Sequence, residues 1–151
     1  MKVEKAKETD LNTLNKISFQ AKKHWGYPDE WMEIWKSELT ITPKYLQEHS
    51  VFRISENNII IGFCAIEEGK LEYEIGHLWI LPEFMRKGYG KLLLEKSIKN
   101  TCSLSKNIIV VSDPNAEKFY KKMGFETFDQ KESYPIGRYL PVMRKSPIKY
   151  Q

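Results

Sequence analysis

The first third of the chain carries apolar residues at strand spacing and then at helix spacing. The segment KVEKAK at residues 2–7 predicts a first strand, and Thr9 and Asp10 are typical of a helix N-terminus. The apolar residues that follow at helical spacing are Leu11, Leu14, Ile17 and Ala21. Gly26 ends this helix, and Pro28 begins a second helix at its first position. The apolar stripe of that second helix consists of Trp31, Trp35 and Leu39.

Strand patterns dominate the middle of the chain. Residues 50–56 and 59–67 are rich in β-branched and aromatic residues, and Asn57-Asn58 between them is typical of a hairpin turn. After a Glu-Gly-Lys turn comes the run LEYEIGHLWIL at residues 71–81, which predicts a long strand. The pattern therefore predicts hairpins in this part of the chain.

The second half returns to a strand–helix–strand order. A Leu-rich helix pattern leads into residues 107–111, a short buried strand that is β-branched and apolar throughout. Asp113-Pro114 begins the next helix and Gly124 ends it. Two closing strands are predicted at residues 125–130 and 138–145. Early hairpins with a later crossover predict one mixed sheet with helices packed against it.

The composition of the chain is that of an ordinary globular protein. Its 151 residues fit one domain, expected to span residues 1–151, and 41% of them are hydrophobic while 29% are charged. The sequence has neither an apolar run long enough to cross a membrane nor a signal-peptide pattern. We therefore expect a cytoplasmic protein with no membrane partner.

Charge and metal-binding residues exclude further classes of function. The net charge of +4 suits an anionic ligand but is too weak and too dispersed to indicate nucleic acid. Cys64 and Cys102 lie far apart outside any CxxC motif, which favours reduced core residues. The three histidines lack metal-ligand spacing, so no metal site is expected.

The segment PEFMRKGYGKLLLEK at residues 82–96 places two glycines at the start of a helix, where they weaken it. A Rossmann fingerprint would need a third glycine where Leu93 stands, and a P-loop would need Ser or Thr in place of Leu92. The arrangement that survives is more general: a strand, a short loop with Gly88 and Gly90, and a helix N-terminus whose free N–H groups attract anions. Taken alone, the two glycines favour a plain tight turn over an anion site.

Three ordered segments resemble the GNAT superfamily of N-acetyltransferases. LPEFMRKGYGKLLLEK is similar to that family's motif A, Gln/Arg-x-x-Gly-x-Gly/Ala; LEYEIGHLWIL precedes it, and DPNAEKFYKKMGF follows the next strand. The resemblance covers essentially the whole chain. It implies an α+β GNAT fold, with a single mixed, mostly antiparallel sheet of six to seven strands flanked by about four helices. It also implies an acetyl-CoA-dependent N-acetyltransferase; the alternative is a non-catalytic acyl-CoA-binding sensor or assembly domain.

The resemblance assigns a set of residues to coenzyme A. They are Leu78, Trp79, Ile80, Arg86, Lys87, Gly88, Tyr89, Gly90, Lys91, Asp113, Asn115 and Tyr120. The loop and helix start would hold the pyrophosphate through main-chain N–H groups, and the strand at 78–80 would bond the pantetheine arm. Met85 departs from the Gln or Arg of the motif, and Asp113 stands where the family often has Asn. Whether Asp113 or Asn115 contacts pantetheine stays open, as does a role for both in helix capping alone.

The same resemblance implies how the chemistry is divided. Glu74 matches the family's general base, which accepts the proton of the attacking amine, with His77 as a second candidate. Tyr120 matches the tyrosine that protonates the leaving thiolate, because a phenol holds its proton at neutral pH. Direct attack by the amine is expected, since neither cysteine has a basic neighbour in sequence. The alternatives are a solvated strand face for Glu74 and a core position for Tyr120.

The acceptor that the resemblance implies is a primary amine of a small molecule or a peptide. The residues expected to face it are His24, Trp25, Tyr27, His77 and Arg138. Aromatic residues there favour a cationic amine, although Trp25 and Tyr27 can instead pack on the tryptophans of the second helix. Acyl chain length and oligomeric state stay open; dimers are common in the family that the chain resembles.

Overall fold

In the computed structural model, residues 1–103 and 105–147 are described. They form two compact units: one comprises Met1–Ile66 with His77–Thr101, and the other comprises Glu67–Gly76 with the described residues from Cys102 onward. We call these the first and second units. The expectation that residues 1–151 act as one domain stays a prediction.

The described residues form five α-helices and seven strands. The helices are α1 (Leu11–Lys23), α2 (Asp29–Leu39), α3 (Pro43–Glu48), α4 (Tyr89–Thr101) and α5 (Glu117–Lys122). The strands are β1 (Lys2–Lys5), β2 (Ser50–Glu56), β3 (Ile59–Glu68), β4 (Glu72–Ile80), β5 (Asn107–Val111), β6 (Glu126–Ser133) and β7 (Arg138–Lys145). This confirms the predicted α+β fold, with one helix more than the four or so expected.

All seven strands join one sheet in the order β1-β2-β3-β4-β5-β7-β6. The pairs β1/β2, β2/β3, β5/β7 and β6/β7 are antiparallel, and β4/β5 is parallel. The sheet is therefore mixed, as predicted. The β4/β5 register runs from Glu72 opposite Asn107 to Ile75 opposite Val110, so β4 continues for five residues beyond it.

Both predicted hairpin turns are present. Asn57 and Asn58 join β2 to β3 with φ of 51° and 66°, the left-handed conformation that asparagine tolerates and that tight hairpins require. The N–H of Gly69 donates to the carbonyl of Glu72 at 2.9 Å and closes the turn between β3 and β4. These two turns fix the path of β2, β3 and β4.

In the first unit, α1 buries its apolar stripe on the sheet. The fully buried residues of this cluster are Leu14, Ile17, Ile41, Val51, Phe63 and Ala65. A second cluster consists of Met32, Trp35 and Leu39, so Met32 rather than the predicted Trp31 completes the buried stripe of α2. The carboxylate of Asp10 accepts the Lys7 N–H at 2.8 Å and pairs with Arg53 at 3.0 Å.

In the second unit, the buried apolar residues lie on β4, β5, α5, β7 and the segment between α5 and β6. They are Tyr73, Ile75, Ile108, Val110, Tyr120, Phe125 and Met143. Strand β6 is exposed along nearly its whole length, and it ends the sheet. Its mixed acidic and basic side chains are typical of an edge strand that resists pairing with another chain.

Candidate active site

The loop before α4 contains two residues in the left-handed backbone conformation. Arg86 and Gly88 both have positive φ, 62° and 88°. The N–H of Leu92 donates to the Gly88 carbonyl at 3.2 Å, so the N–H groups of residues 89–91 precede the first bond of this kind in the helix. A Cβ added to Gly88 would meet nothing within 4 Å. Glycine is therefore needed here for its backbone conformation.

The side chains of this loop divide into a tyrosine held by the fold and three exposed cations. The Tyr89 hydroxyl donates to Glu56 Oε2 at 3.3 Å, and its ring lies edge-on to Phe84. Arg86, Lys87 and Lys91 are exposed. They add positive potential to a helix N-terminus that already attracts anions. Because the Tyr89 hydroxyl already bonds Glu56, the group of Tyr89 that can donate to a ligand is its backbone N–H.

The last residues of β4 lie beyond its register with β5. Pairing with β5 ends at Ile75, whereas β4 runs on to Ile80. A strand that outruns its neighbour can bond an extended ligand through its main chain, as an added strand would. Leu78, Trp79 and Ile80 lie in this stretch.

His77 is held in an aromatic environment of the first unit. Its Nδ1 accepts the indole N–H of Trp79 at 3.0 Å, and its ring packs against Tyr45 and Phe63 at centroid distances of 5.6 Å and 5.8 Å. Burial lowers the pKa of His77 to about 4. The imidazole is therefore neutral at pH 7 and a weak proton acceptor.

Glu74 lies in the second unit, and its pKa is shifted in the opposite direction. Burial raises the pKa of this half-buried carboxyl above its ordinary value, and the carboxylates of Glu67 and Glu72 raise it further, while Lys131 lowers it. A carboxylate with a raised pKa is a stronger proton acceptor. Of the two candidate bases, Glu74 has the electrostatics that the chemistry requires.

Tyr120 is a core residue of the second unit. Its side chain is only 5% exposed, and its ring packs edge-on against Phe119 and Phe125 at centroid distances of 5.2 Å and 5.4 Å. This packing accounts for the buried position of the Tyr120 ring. Whether the hydroxyl also serves as an acid stays a prediction.

Asp113, Asn115 and Arg138 come together in the second unit. Asp113 Oδ1 accepts both the backbone N–H and the side-chain amide of Asn115, at 2.8 Å and 2.9 Å. Asp113 Oδ2 lies 3.4 Å from Arg138 Nη2. The capping role that the sequence left open for Asp113 is therefore present. The pairing with Arg138 was not predicted.

The aromatic residues between α1 and α2 pack on one another and on the tryptophans of α2. The Tyr27 ring lies 5.9 Å from Trp31 and 4.9 Å from Trp35, as the alternative interpretation proposed. The ammonium of Lys22, a buried residue, lies over the rings of Tyr27 and Trp35 at 5.0 Å and 4.5 Å. His24 and Trp25 make an edge-on pair with centroids 4.9 Å apart, and Trp25 is 37% exposed.

Comparison with known proteins establishes the family of the chain. Residues 20–145 match the family profile described as Acetyltransferase (GNAT) domain. The chain belongs to the GNAT family. This confirms the resemblance that motif A and its neighbouring segments carry.

Solved GNAT structures share the fold over nearly the whole chain. The PaiA N-acetyltransferase of Thermoplasma acidophilum, crystallised with coenzyme A, is 25% identical, with a TM-score of 0.76 over 97% of this chain and 99% of that one. The ribosomal-protein-S18-alanine N-acetyltransferase of Escherichia coli is 16% identical, with a TM-score of 0.70 over 99% of this chain and 96% of that one. The likeness to the Escherichia coli enzyme is one of fold alone.

A curated GNAT relative matches part of the sequence. The [ribosomal protein bS18]-alanine N-acetyltransferase of Haemophilus influenzae is 33% identical over 85 residues, 54% of this chain. The match spans 58% of the length of that relative.

Two further features concern the described residues of this GNAT domain. None of its helices there is long and apolar enough to cross a membrane. In the same residues, no group of three or more histidine, cysteine, aspartate or glutamate side chains has the arrangement of a metal site.

Proposed function

We propose that the chain is an acetyl-CoA-dependent N-acetyltransferase that moves an acetyl group to a primary amine by direct attack. The observation that carries the proposal is the loop at residues 86–91, where two residues with positive φ angles precede the N-terminus of α4. Membership of the GNAT family supports it. So does the Thermoplasma relative, which was crystallised with coenzyme A.

The residues present fit coenzyme A. The N–H groups of residues 89–91 and the exposed cations Arg86, Lys87 and Lys91 suit the pyrophosphate, because anions bind at helix N-termini. Residues 78–80 of β4 suit the amides of the pantetheine arm, which bind in the manner of a neighbouring strand. When bound, acetyl-CoA supplies the activated acetyl carbon and a thiolate leaving group. Met85 does not disturb this fit, since main-chain groups provide the cradle.

Two side chains handle the protons. Glu74 takes the proton that the amine loses as its nitrogen bonds to the acetyl carbon; its raised pKa supports this assignment. Tyr120 gives its hydroxyl proton to the released sulfur, as the match to the family's tyrosine implies. Asp113 and Asn115 stay candidates for contact with the pantetheine arm, and Arg138 stays a candidate for contact with the acceptor; the bonds among the three help to fix their side chains.

The acceptor is a primary amine of a peptide or a small molecule. The name of the Haemophilus relative, a ribosomal-protein alanine N-acetyltransferase, supports testing peptide N-terminal amines first. Release of free coenzyme A thiol over a panel of peptides, polyamines and amino sugars tests the activity. A chain that binds acetyl-CoA and releases no thiol with any of them would be the alternative, a non-catalytic acyl-CoA sensor.

The cofactor assignment has its own test. The melting temperature should rise with acetyl-CoA concentration, because a ligand that binds only the folded state stabilises it. An unchanged melting temperature at millimolar acetyl-CoA would remove coenzyme A from the proposal altogether.

A further inference from the structure

The turn between β3 and β4 sets which side chains face each other across the two strands. The bond from the Gly69 N–H to the Glu72 carbonyl closes a turn of two residues. In such a hairpin, the residues on either side pair outward from the closing pair. Glu68 therefore lies opposite Tyr73, and Glu67 lies opposite Glu74.

The contacts of Lys106 agree with this register. Its ammonium bonds Glu68 Oε2 at 3.1 Å and lies 5.1 Å from the centre of the Tyr73 ring. Glu68 and Tyr73 thus share one face of the hairpin. Because successive side chains on a strand alternate between faces, Glu67 and Glu74 share the other face.

Two carboxylates directly opposite one another repel. Cross-strand neighbours have Cβ atoms about 4.5–5.5 Å apart, and like charges at that spacing are unfavourable. Glu67 and Glu74 are both half-buried, where water screens the repulsion less than at the surface. A strand face that was merely solvated would have little reason to hold this pair.

We propose that Glu67 is a positioning residue that acts through Glu74, the repulsion between the two carboxylates strengthening Glu74 as a proton acceptor for the amine. The inference rests on the proposed function, since it assumes that Glu74 is the base. It assigns to Glu67 no contact with either substrate.

Other charges act on Glu74 as well. Glu72, two residues away on β4, adds to the repulsion, and Lys131 of β6 opposes it. After burial, Glu67 is the largest contribution among those that raise the pKa of Glu74. The three charged residues predict graded effects: removing Glu67 should weaken the base most, removing Glu72 should weaken it less, and removing Lys131 should strengthen it.

A titration that is independent of activity tests the pair. In the full chain labelled with ¹³C at the glutamate carboxyl carbons, the Glu74 resonance is followed against pH and assigned by its loss in E74Q. The midpoint should move to lower pH in E67Q. It should stay in place in E68Q, the matched control, because Glu68 is the next residue on β3 and faces away. Equal midpoints in the wild type and E67Q would overturn the inference.

Kinetic measurements on E67Q and E74Q separate this inference from the proposed function. In E67Q, kcat/KM should fall by a factor of about two to five, and its acid limb should move to lower pH, because a weaker base is already deprotonated there. In E74Q, the loss should reach about 10²-fold or more. An equal loss in E67Q and E74Q would overturn the positioning role, since Glu67 would then act on the substrate itself.

Failure of the proposed base Glu74 and failure of the positioning role of Glu67 give different results. Wild-type turnover in E74Q would overturn both the base assignment and the role of Glu67. An inactive E74Q with an unmoved Glu74 midpoint in E67Q would overturn only the latter.

Discussion

Arg138 Nη2 lies 3.4 Å from Asp113 Oδ2, and both side chains are nearly buried, at 12% and 10% exposure. The other oxygen of Asp113 is bonded twice by Asn115. One carboxylate thus joins the start of the α5 region to the start of β7. Arg138 was predicted to face the acceptor, and Asp113 or Asn115 to contact coenzyme A; these roles stay predictions beside the observed contact between Arg138 and Asp113.

The first prediction concerns this ion pair. The variant D113A should lose about 2–4 kcal/mol of unfolding free energy, because it leaves a buried guanidinium without its carboxylate. Urea denaturation measures this loss. The control is E48Q, which removes the exposed pair of Glu48 with Lys44 and should change stability by less than about 0.5 kcal/mol. Equal losses in the two variants would show that the buried pair is not structural.

The second prediction concerns Gly88. The variant G88A should lose about 1–2 kcal/mol of stability, because alanine is strained at a φ of 88°. It should also weaken acetyl-CoA binding, since relief of that strain redirects the N–H groups of the loop. Calorimetric titration with acetyl-CoA measures the Kd.

A matched control separates these two effects. Gly26 has a φ of 83° and equally open space around its Cβ position, but it lies between α1 and α2. The variant G26A should lose similar stability and keep the wild-type Kd. If G26A and G88A weakened binding alike, the loop would have no special role in the cofactor site.

The third prediction concerns His77. A histidine whose pKa falls from 6.5 to about 4 on folding is disfavoured in its charged form in the native state. The stability that neutral His77 contributes to the folded protein is therefore fully present above pH 6.5 and is lost as the pH falls through 4. The loss should be on the order of 3 kcal/mol. The unfolding free energy measured in urea between pH 7 and pH 4 tests this.

The variant H77Q is the comparison for that experiment. Its amide carbonyl can still accept the Trp79 N–H, but it does not titrate. It should therefore lose less stability than the wild type over the same pH range. Parallel curves for the two proteins would contradict the assigned pKa.

Local signals in the sequence predicted most of the fold. Asn57-Asn58 and the apolar runs of β3 and β4 specify their own conformation, and the loop with Gly88 was found because its glycines lie between a strand and a helix. Helix α3 was not predicted, because six residues offer too little periodicity. Its signals were the Thr42 cap and Pro43.

Long-range pairs within the candidate site were beyond sequence reasoning. The contact of Arg138 with Asp113 joins residues 25 positions apart, and no local pattern marks it. Lys22 looks like a surface lysine of α1, whereas its ammonium lies over the rings of Tyr27 and Trp35. The position of Glu67 opposite Glu74 follows from the bond between Gly69 and Glu72, whereas the predicted Glu-Gly-Lys turn would have paired other residues.

The last prediction separates the two roles of Tyr120. The variant Y120F keeps the ring and its packing against Phe119 and Phe125, so its stability should change by less than about 1.5 kcal/mol. It lacks the proton that the leaving sulfur needs, so kcat should fall by a factor of about 10–10², with little change in the acetyl-CoA Kd. The control is Y139F, which removes the hydroxyl of an exposed tyrosine on β7 and should keep wild-type kcat. If Y120F turned over as fast as Y139F, Tyr120 would be a core residue alone, and the proton for the sulfur would have to come from solvent or another group.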